Sequence, residues 1–286
     1  MGQMVFNGLV NAALIAPPAV AFTMMFAILR FPNFAIGGYI TVGAFAAYTF
    51  NAVLQWPLAL AAAGGMAVAA LVTWLSDLIV FRPMRGHSAI TLLVVSIALT
   101  LILENLVRLG YGSDVRGFDL PLTRPLKWAG LHMTIEQIYI LGVTVVLAAT
   151  THGLLRYTRM GKAMRATADN FSLAEVRGIN TGRVIAATWL YCGALLGLTG
   201  TLAGLDLVIE PLVGWNLTIP IFAAAILGGI GSPYGALVGA VLVGLAEELT
   251  VLVLPSTYKV GVGFIIIAIL LLFRPHGLFG VAQVKK

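Results

Sequence analysis

Val5 to Leu29 reads VFNGLVNAALIAPPAVAFTMMFAIL and contains no charged residue. A helix on the surface of a water-soluble domain keeps charged and polar residues on one face. This stretch has no such face, and it is long enough to cross the hydrocarbon interior of a bilayer, which takes roughly 20 apolar residues. The same character recurs along the chain. Of 286 residues, 60% are apolar and 10% charged, against about 45–50% and about 25% in soluble domains. Lipid cannot hydrogen-bond a peptide group, so a spanning segment is a helix or a strand of a closed barrel. The runs here are continuously apolar, without the alternation of a barrel strand. The expected fold is an all-α polytopic membrane protein, one transmembrane domain over residues 1–286.

Outward from the first run, the apolar segments fall at 5–29, 34–54, 58–81, 88–109, 135–155, 184–207, 217–230, 235–253 and 259–273. The 217–230 segment is short for a full crossing and adjoins a glycine-rich break, Gly228 to Gly235, so the expected count is eight or nine. Met1-Gly2-Gln3-Met4 offers no basic leader region and no evident cleavage site, so the first run is read as a retained span. The one cysteine, Cys192, excludes an intrachain disulfide.

The formal net charge is +6, yet the basic residues sit in short loops between spans. That distribution is a topology signal, not a nucleic-acid surface. With nine crossings and the N-terminus outside, Arg30, Arg82, Arg85, the loop from Arg156 to Arg183, Arg274, Lys285 and Lys286 face inward. Those are twelve of the seventeen basic residues; Arg108, Arg116, Arg124, Lys127 and Lys259 remain outside. The positive-inside rule therefore places the N-terminus out and the C-terminus in.

Two loops are long enough to carry function. The outer one, about 110–134, holds Asp114, Asp119 and Trp128. The inner one, about 156–183, reads RYTRMGKAMRATADNFSLAEVRGINTGR. Polar, alanine-rich sequence closed by Gly178 predicts a short helix with a glycine stop. The plainer reading is a basic loop that only enforces topology.

At this loop the chain resembles the branched-chain amino-acid ABC transporter permeases. The resemblance is carried by Tyr157 to Ala163, Arg165-Ala166, Gly178 to Thr181 and Arg183 to Ala186. Asn33-Phe34-Ala35, Ala225 to Ser232 and Arg274 to Gly280 extend it in order along nearly the whole chain. It implies a cytoplasmic coupling helix between Gly161 and Gly178, with Arg165, Ala166, Asp169 and Glu175 as contacts to an ATPase. It further implies a multi-pass protein of the bacterial inner membrane with a second related permease, two ATPase subunits that bind ATP and magnesium, and a periplasmic solute-binding protein. No cofactor belongs to this chain itself. Where many members carry a histidine and a glutamate after the Asn-Phe-Ala motif, this chain has Ile36 and Gly38. The wider family also handles urea, short amides and carboxylates, so the resemblance implies a small metabolite, branched-chain amino acids among them.

The residues themselves carry no catalytic machinery. A phosphate-binding loop needs a glycine where Arg156 precedes Gly161-Lys162, and Gly229-x-Gly231 lacks the third glycine of a dinucleotide fingerprint. His87, His132, His152 and His276 have no metal-ligand spacing, and no serine sits in a G-x-S-x-G setting.

Acids within spans are costly and so are candidates for function. Glu104, Asp206, Glu247 and Glu248 fall in the outer third of their spans. They form either an anionic entrance suited to an ammonium group or an interfacial set that reaches water, with Glu104 paired to Arg108 one turn on. Asp77 is expected to bond a neighbouring loop. Asn33, Gly37 and Gly38 mark a predicted helix break that either lines a pathway or allows close packing. Gly193-x-x-x-Gly197, Gly200-x-x-x-Gly204 and Gly231-x-x-x-Gly235-x-x-x-Gly239 read as packing ridges. The expected activity is translocation of a small molecule by a subunit in contact with lipid. The rivals are an ion-coupled secondary transporter, whose ionisable residues would lie nearer the midplane, and a membrane enzyme.

Overall fold

Each apolar segment forms a helix over most of its described residues. The computed structural model describes the chain apart from residues 121–124, 129, 253–254, 256–257, 275–276 and 280–286, with the backbone alone at 127, 128, 131, 260 and 271. Arg124, His276, Gly280, Lys285 and Lys286 lie outside the described residues. The helices are α1 (Gly2–Leu29), α2 (Ile36–Tyr48), α3 (Leu58–Ser76), α4 (Arg82–Met84), α5 (Ala89–Tyr111), α6 (Ile135–Tyr157), α7 (Arg159–Asp169), α8 (Phe171–Val176), α9 (Thr181–Asp206), α10 (Val213–Gly228), α11 (Pro233–Thr250) and α12 (Lys259–Phe273). Wider π-helical turns at Thr49–Val53 and Asp77–Phe81 extend α2 and α3. A two-stranded antiparallel ribbon, β1 (Leu126–Trp128) and β2 (Leu131–Met133), pairs Lys127 with His132 just ahead of α6. Five helical stretches are long and apolar enough to cross a membrane unaided: α1, the continuous Leu58–Met84, α5, α6 and α9.

α1 lies at the centre, packed along α11 and against α9, α10 and α6. α9 packs along α3 and α2, and α5 flanks α2. Glycines set these spacings. A methyl group at Gly197 would stand 2.6 Å from Ala69 Cβ and 2.7 Å from the Gly65 carbonyl oxygen, so α9 and α3 touch backbone to backbone. Gly193 meets Ala70 and Thr73 in the same way, and Gly200 meets Ile40 and Ala44 of α2. These are packing ridges, as their spacing predicts.

Three of the breaks in the helical run shape the packing of the bundle, and the first two are closed by polar partners from elsewhere in the protein. Between α1 and α2, Asn33 Oδ1 accepts from the Ala35 amide at 3.0 Å. Ser96 Oγ accepts from the Phe34 amide at 2.9 Å, and Thr100 Oγ1 donates to the Phe34 carbonyl at 2.9 Å. Between α9 and α10, Ile209 and Arg116 exchange both backbone bonds, which lays the outer loop over this break. Thr41 Oγ1 then accepts from the Gly214 amide at 3.2 Å. Between α10 and α11, Gly229 and Gly231 take φ of 106° and 93°, a region that favours glycine. Gly228 and Gly235 meet there at backbone contact, which folds α10 and α11 into a hairpin.

Gly37 and Gly38 do not form a break. Both lie in the first turn of α2, and the break is the preceding Arg30–Ala35. Pro32 and Asn33 explain its place, since proline restrains the residue before it and asparagine closes a local turn. Gly37 packs on Gly214, and Gly38 on Thr100 and Leu103. Asp77 receives Arg85 Nη2 at 2.6 and 2.7 Å, the loop partner expected for it.

Within α1, Pro17 has no amide to donate to the carbonyl of Ala13, four residues back. Thr144 of α6 fills that vacancy, its Oγ1 donating to Ala13 O at 2.9 Å. Thr144→Val should therefore destabilise the fold by about 1 kcal/mol, the scale of interhelical hydrogen bonds in membranes. The check is the thermal midpoint of the purified chain in detergent, with Thr144→Ser expected to keep the wild-type value.

Candidate functional site

One end of the bundle carries Asn7, Gln137 and Asp206; the other carries α7 and α8. At the first end, α1, α6, α9, α10, α11 and α12 surround a cavity of about 560 Å³. Asn7 and Asn11 share a face of α1 one turn apart, and both line it. Glu247 and Glu248 are neighbours on α11, so their side chains diverge around the helix. Glu247 turns to α1, where Asn11 Nδ2 donates to its Oε2 at 2.8 Å. Glu248 turns to α12 and forms an ion pair with Lys259. Glu210 Oε1 accepts from Asn216 Nδ2 at 2.9 Å, and Asp206 completes the acidic lining. Glu247 is only 4% exposed, and its Oε1 has no hydrogen-bond partner among the described residues.

At the opposite end, Thr158 stops α6 and starts α7. Its Oγ1 accepts from the Gly161 amide at 2.9 Å and donates to the Leu154 carbonyl at 2.6 Å. Gly161 is needed for the fold-back, since a methyl group there would lie 2.6 Å from Leu155 Cα. α7 is amphipathic: Gly161, Met164 and Thr167 are buried, while Lys162, Arg165 and Asp169 face outward. The Arg30 guanidinium donates to the Ala168 carbonyl and fastens α7 to the end of α1. Asn170 Oδ1 accepts from the Leu173 amide and caps α8. α8 holds three apolar side chains out in the open: Phe171 is 40% exposed, Leu173 53% and Val176 84%. Gly178 takes φ of 81° at the turn out of α8, and Glu175 Oε1 accepts from Thr181 Oγ1 at 2.9 Å.

A second cavity, of about 700 Å³, separates α7 from the turn of the α10–α11 hairpin. Arg165 and Asp169 line one side; Ser232, Pro233 and Tyr234 line the other. His152 Nδ1 lies 3.0 Å from the Tyr234 hydroxyl across the mouth. The hairpin thus has its turn beside α7 and its far end, including Val213, Leu217, Glu247 and Glu248, in the wall of the first cavity.

Of the residues singled out in the sequence, the structure gathers Asp206, Glu247 and Glu248 in one cavity. Glu104 is elsewhere, 3% exposed on α5 where that helix flanks α2. No ion pair or hydrogen bond joins it to Arg108, and Glu104 Oε1 and Arg108 Nε are both buried with no hydrogen-bond partner among the described residues. Asn33, Gly37 and Gly38 sit at the α1–α2 junction, outside the cavity lining. Gly161 to Gly178 fall on α7, α8 and their flanks, with Ala166 half-buried and Glu175 tied to Thr181. Asn11, Lys259 and the apolar face of α8 were missed. The available signals were two asparagines one turn apart inside an apolar span and Phe171, Leu173 and Val176 in a mostly polar loop.

Residues 4–272 match the family described as branched-chain amino acid transport system / permease component. The high-affinity branched-chain amino acid permease protein LivH of Escherichia coli K12 is 33% identical, covering 99% of this chain and 97% of its own. The corresponding BraD of Pseudomonas aeruginosa is 30% identical with the same coverage. A solved metal-chelate type ABC transporter in an inward-facing conformation shares the fold, with a TM-score of 0.54, 16% identity, and 95% and 88% of the two chains covered.

Gly161→Leu should unseat α7 from the end of α6. The expected result is faster tryptic cleavage between Arg156 and Arg183 in detergent, with Asp169→Ala, which is exposed, digested at the wild-type rate. Equal rates for Gly161→Leu and wild type would contradict the seating.

Proposed function

The chain belongs to the branched-chain amino acid transport system permease family, and on that footing we propose that it is the translocation subunit of an ATP-driven ABC importer for branched-chain amino acids. The observation that carries the reading is α8. It is a six-residue helix outside the apolar body, with Phe171, Leu173 and Val176 uncovered. Apolar side chains grouped beside the basic residues of α7 call for a protein cover, and an ATPase subunit supplies one. The sequence has no phosphate-binding loop of its own, so ATP and magnesium belong to two such partners. A second permease completes the assembly, and a periplasmic solute-binding protein delivers cargo at the cavity end, over the loop around Asp114.

The chain sits in the bacterial inner membrane with eight or nine crossings, the cavity end and N-terminus outside, the α7–α8 end and C-terminus inside. The mechanism follows from the hairpin. Closure of the ATPases displaces α7 and α8; α7 closes on the turn at Gly231–Tyr234 across the larger cavity; α10 and α11 tilt and open or close the smaller one. A short, glycine-jointed hairpin suits such a rigid tilt because four of its eight turn residues, Gly228, Gly229, Gly231 and Gly235, have no side chain to repack.

Glu247, buried at a cavity wall with one oxygen unpartnered among the described residues, gives the ion-coupled reading a foothold. A carboxylate there suits proton exchange. The two readings part on energy source. Purified from its source cells in mild detergent, the tagged chain should bring down a second permease and ATPase subunits. Leu173→Asp should cut ATPase recovery at least tenfold without loss of the chain itself. A chain that purifies alone and transports in liposomes without ATP would sink the importer reading.

A further inference from the structure

The larger cavity, beside α7, is apolar within and basic at its rim. Met24 and Ile28 on the last turns of α1, Leu155 of α6 and Met164 of α7 form its buried lining. Arg156, at the end of α6, and Arg165, on α7, line it with exposed guanidinium groups. Neither has an ion pair among the described residues; Arg156 stands 5.8 Å over the Tyr157 ring. A methyl group at Gly231 would come no nearer than 3.9 Å to Ala27, so the hairpin turn stands clear of α1. Across the mouth, His152 of α6 and Tyr234 of α11 share a hydrogen bond. An apolar face leads from that bridge away from α7. On α11, Val238 and Leu242 follow Tyr234 at i+4 and i+8; on α6, Val145 precedes His152 by two turns, and all three are exposed. Both helices pack on α1, and Ala148, Leu237 and Val20 of the three line one crevice.

We propose that this cavity binds an anionic phospholipid from the leaflet on the α7 side. Arg156 and Arg165 hold the phosphate, and the acyl chains leave past the His152–Tyr234 bridge along α6 and α11. Guanidinium groups from two helices suit a phosphodiester, whose oxygens accept paired N–H donors. Basic pockets between spanning helices on the cytoplasmic side are where anionic headgroups bind. Ser232 Oγ accepts from the Gly235 amide at 3.1 Å, and its own hydrogen can be donated to the phosphate. Asp169 is the one acid in the described lining. It disfavours a polyanion such as a nucleotide and leaves an excess of one positive charge for one phosphodiester. The lipid then fills the gap through which α7 faces the hairpin turn. The inward orientation of α7 decides only which leaflet supplies the lipid; binding is independent of cargo and ATP.

The test is photo-crosslinking of the protein, purified with its partners in mild detergent, by phosphatidylglycerol that carries a photoreactive group on its headgroup. The crosslink is expected on α7 or on Ser232–Tyr234. Excess unlabelled phosphatidylglycerol should abolish it, while phosphatidylcholine and glycerol 3-phosphate leave it unchanged. Arg156→Gln removes a charge, and Ala27→Phe fills the cavity with every charge kept; each should lower the yield at least fivefold. Lys162→Gln, on the exposed face of α7 outside the cavity lining, should keep the wild-type yield. A wild-type yield from Arg156→Gln or from Ala27→Phe overturns the proposal, the second because the lipid would then lie on the outer surface. Equal competition by phosphatidylcholine overturns it as well, since charge would not matter. Competition by glycerol 3-phosphate overturns it in favour of a free phosphate ester. No transport is measured, so each of these failures leaves the importer reading standing.

Discussion

A peptide group in hydrocarbon has no water to bond, so each interruption of a helix here must be answered by another part of the protein. Pro17 frees the Ala13 carbonyl, and Thr144 takes it. The α1–α2 break borrows Ser96 and Thr100 from α5. The α9–α10 break borrows Arg116 from the outer loop and Thr41 from α2. These debts fix which helices are neighbours. Glycine then fixes how near they come, since α2, α3 and α9 meet where any side chain would collide.

The same constraint explains why the functional parts lie where they do. Helices that satisfy their backbone bonds internally can move as rods, and the turn Gly228–Gly235 is a joint with no side chain at four of its eight positions. It ties a polar, exposed device at one end of the bundle to an acidic cavity at the other. Seen in this way, α10 is short because it starts at a break inside the protein, beside Thr41 and Gly37, and not at a membrane surface. The acids of the cavity are tolerable for a related reason: Asn11, Asn216 and Lys259 reach three of them from separate elements.

Much of the fold was legible in the sequence because lipid imposes a simple code. Runs such as 135–155 and 184–207 became helices Ile135–Tyr157 and Thr181–Asp206, and the polar 156–183 loop became α7 and α8. Glycine was harder to read. A glycine that turns the chain, such as Gly229, and one that admits a neighbour, such as Gly37, look alike in sequence, and only the second kind stays helical. Pairings across the chain were out of reach as well. Asn11 and Glu247 stand 236 positions apart, and the i, i+4 spacing of Glu104 and Arg108 is not closed into an ion pair. Acids at span ends marked three of the residues that line the cavity, Asp206, Glu247 and Glu248, while Asn7, Asn11, Gln137 and Lys259 carried no signal beyond being polar beside apolar runs.

The central claim is that the α10–α11 hairpin transmits events at α7–α8 to the cavity. It is tested most directly by the distance between spin labels at Asn7 on α1 and Asn216 on α10, measured in the full assembly with and without a non-hydrolysable ATP analogue. The account predicts a distance distribution that shifts when nucleotide binds and no longer shifts when Leu173→Asp uncouples α8. A distribution indifferent to nucleotide in an assembly that still transports would contradict it.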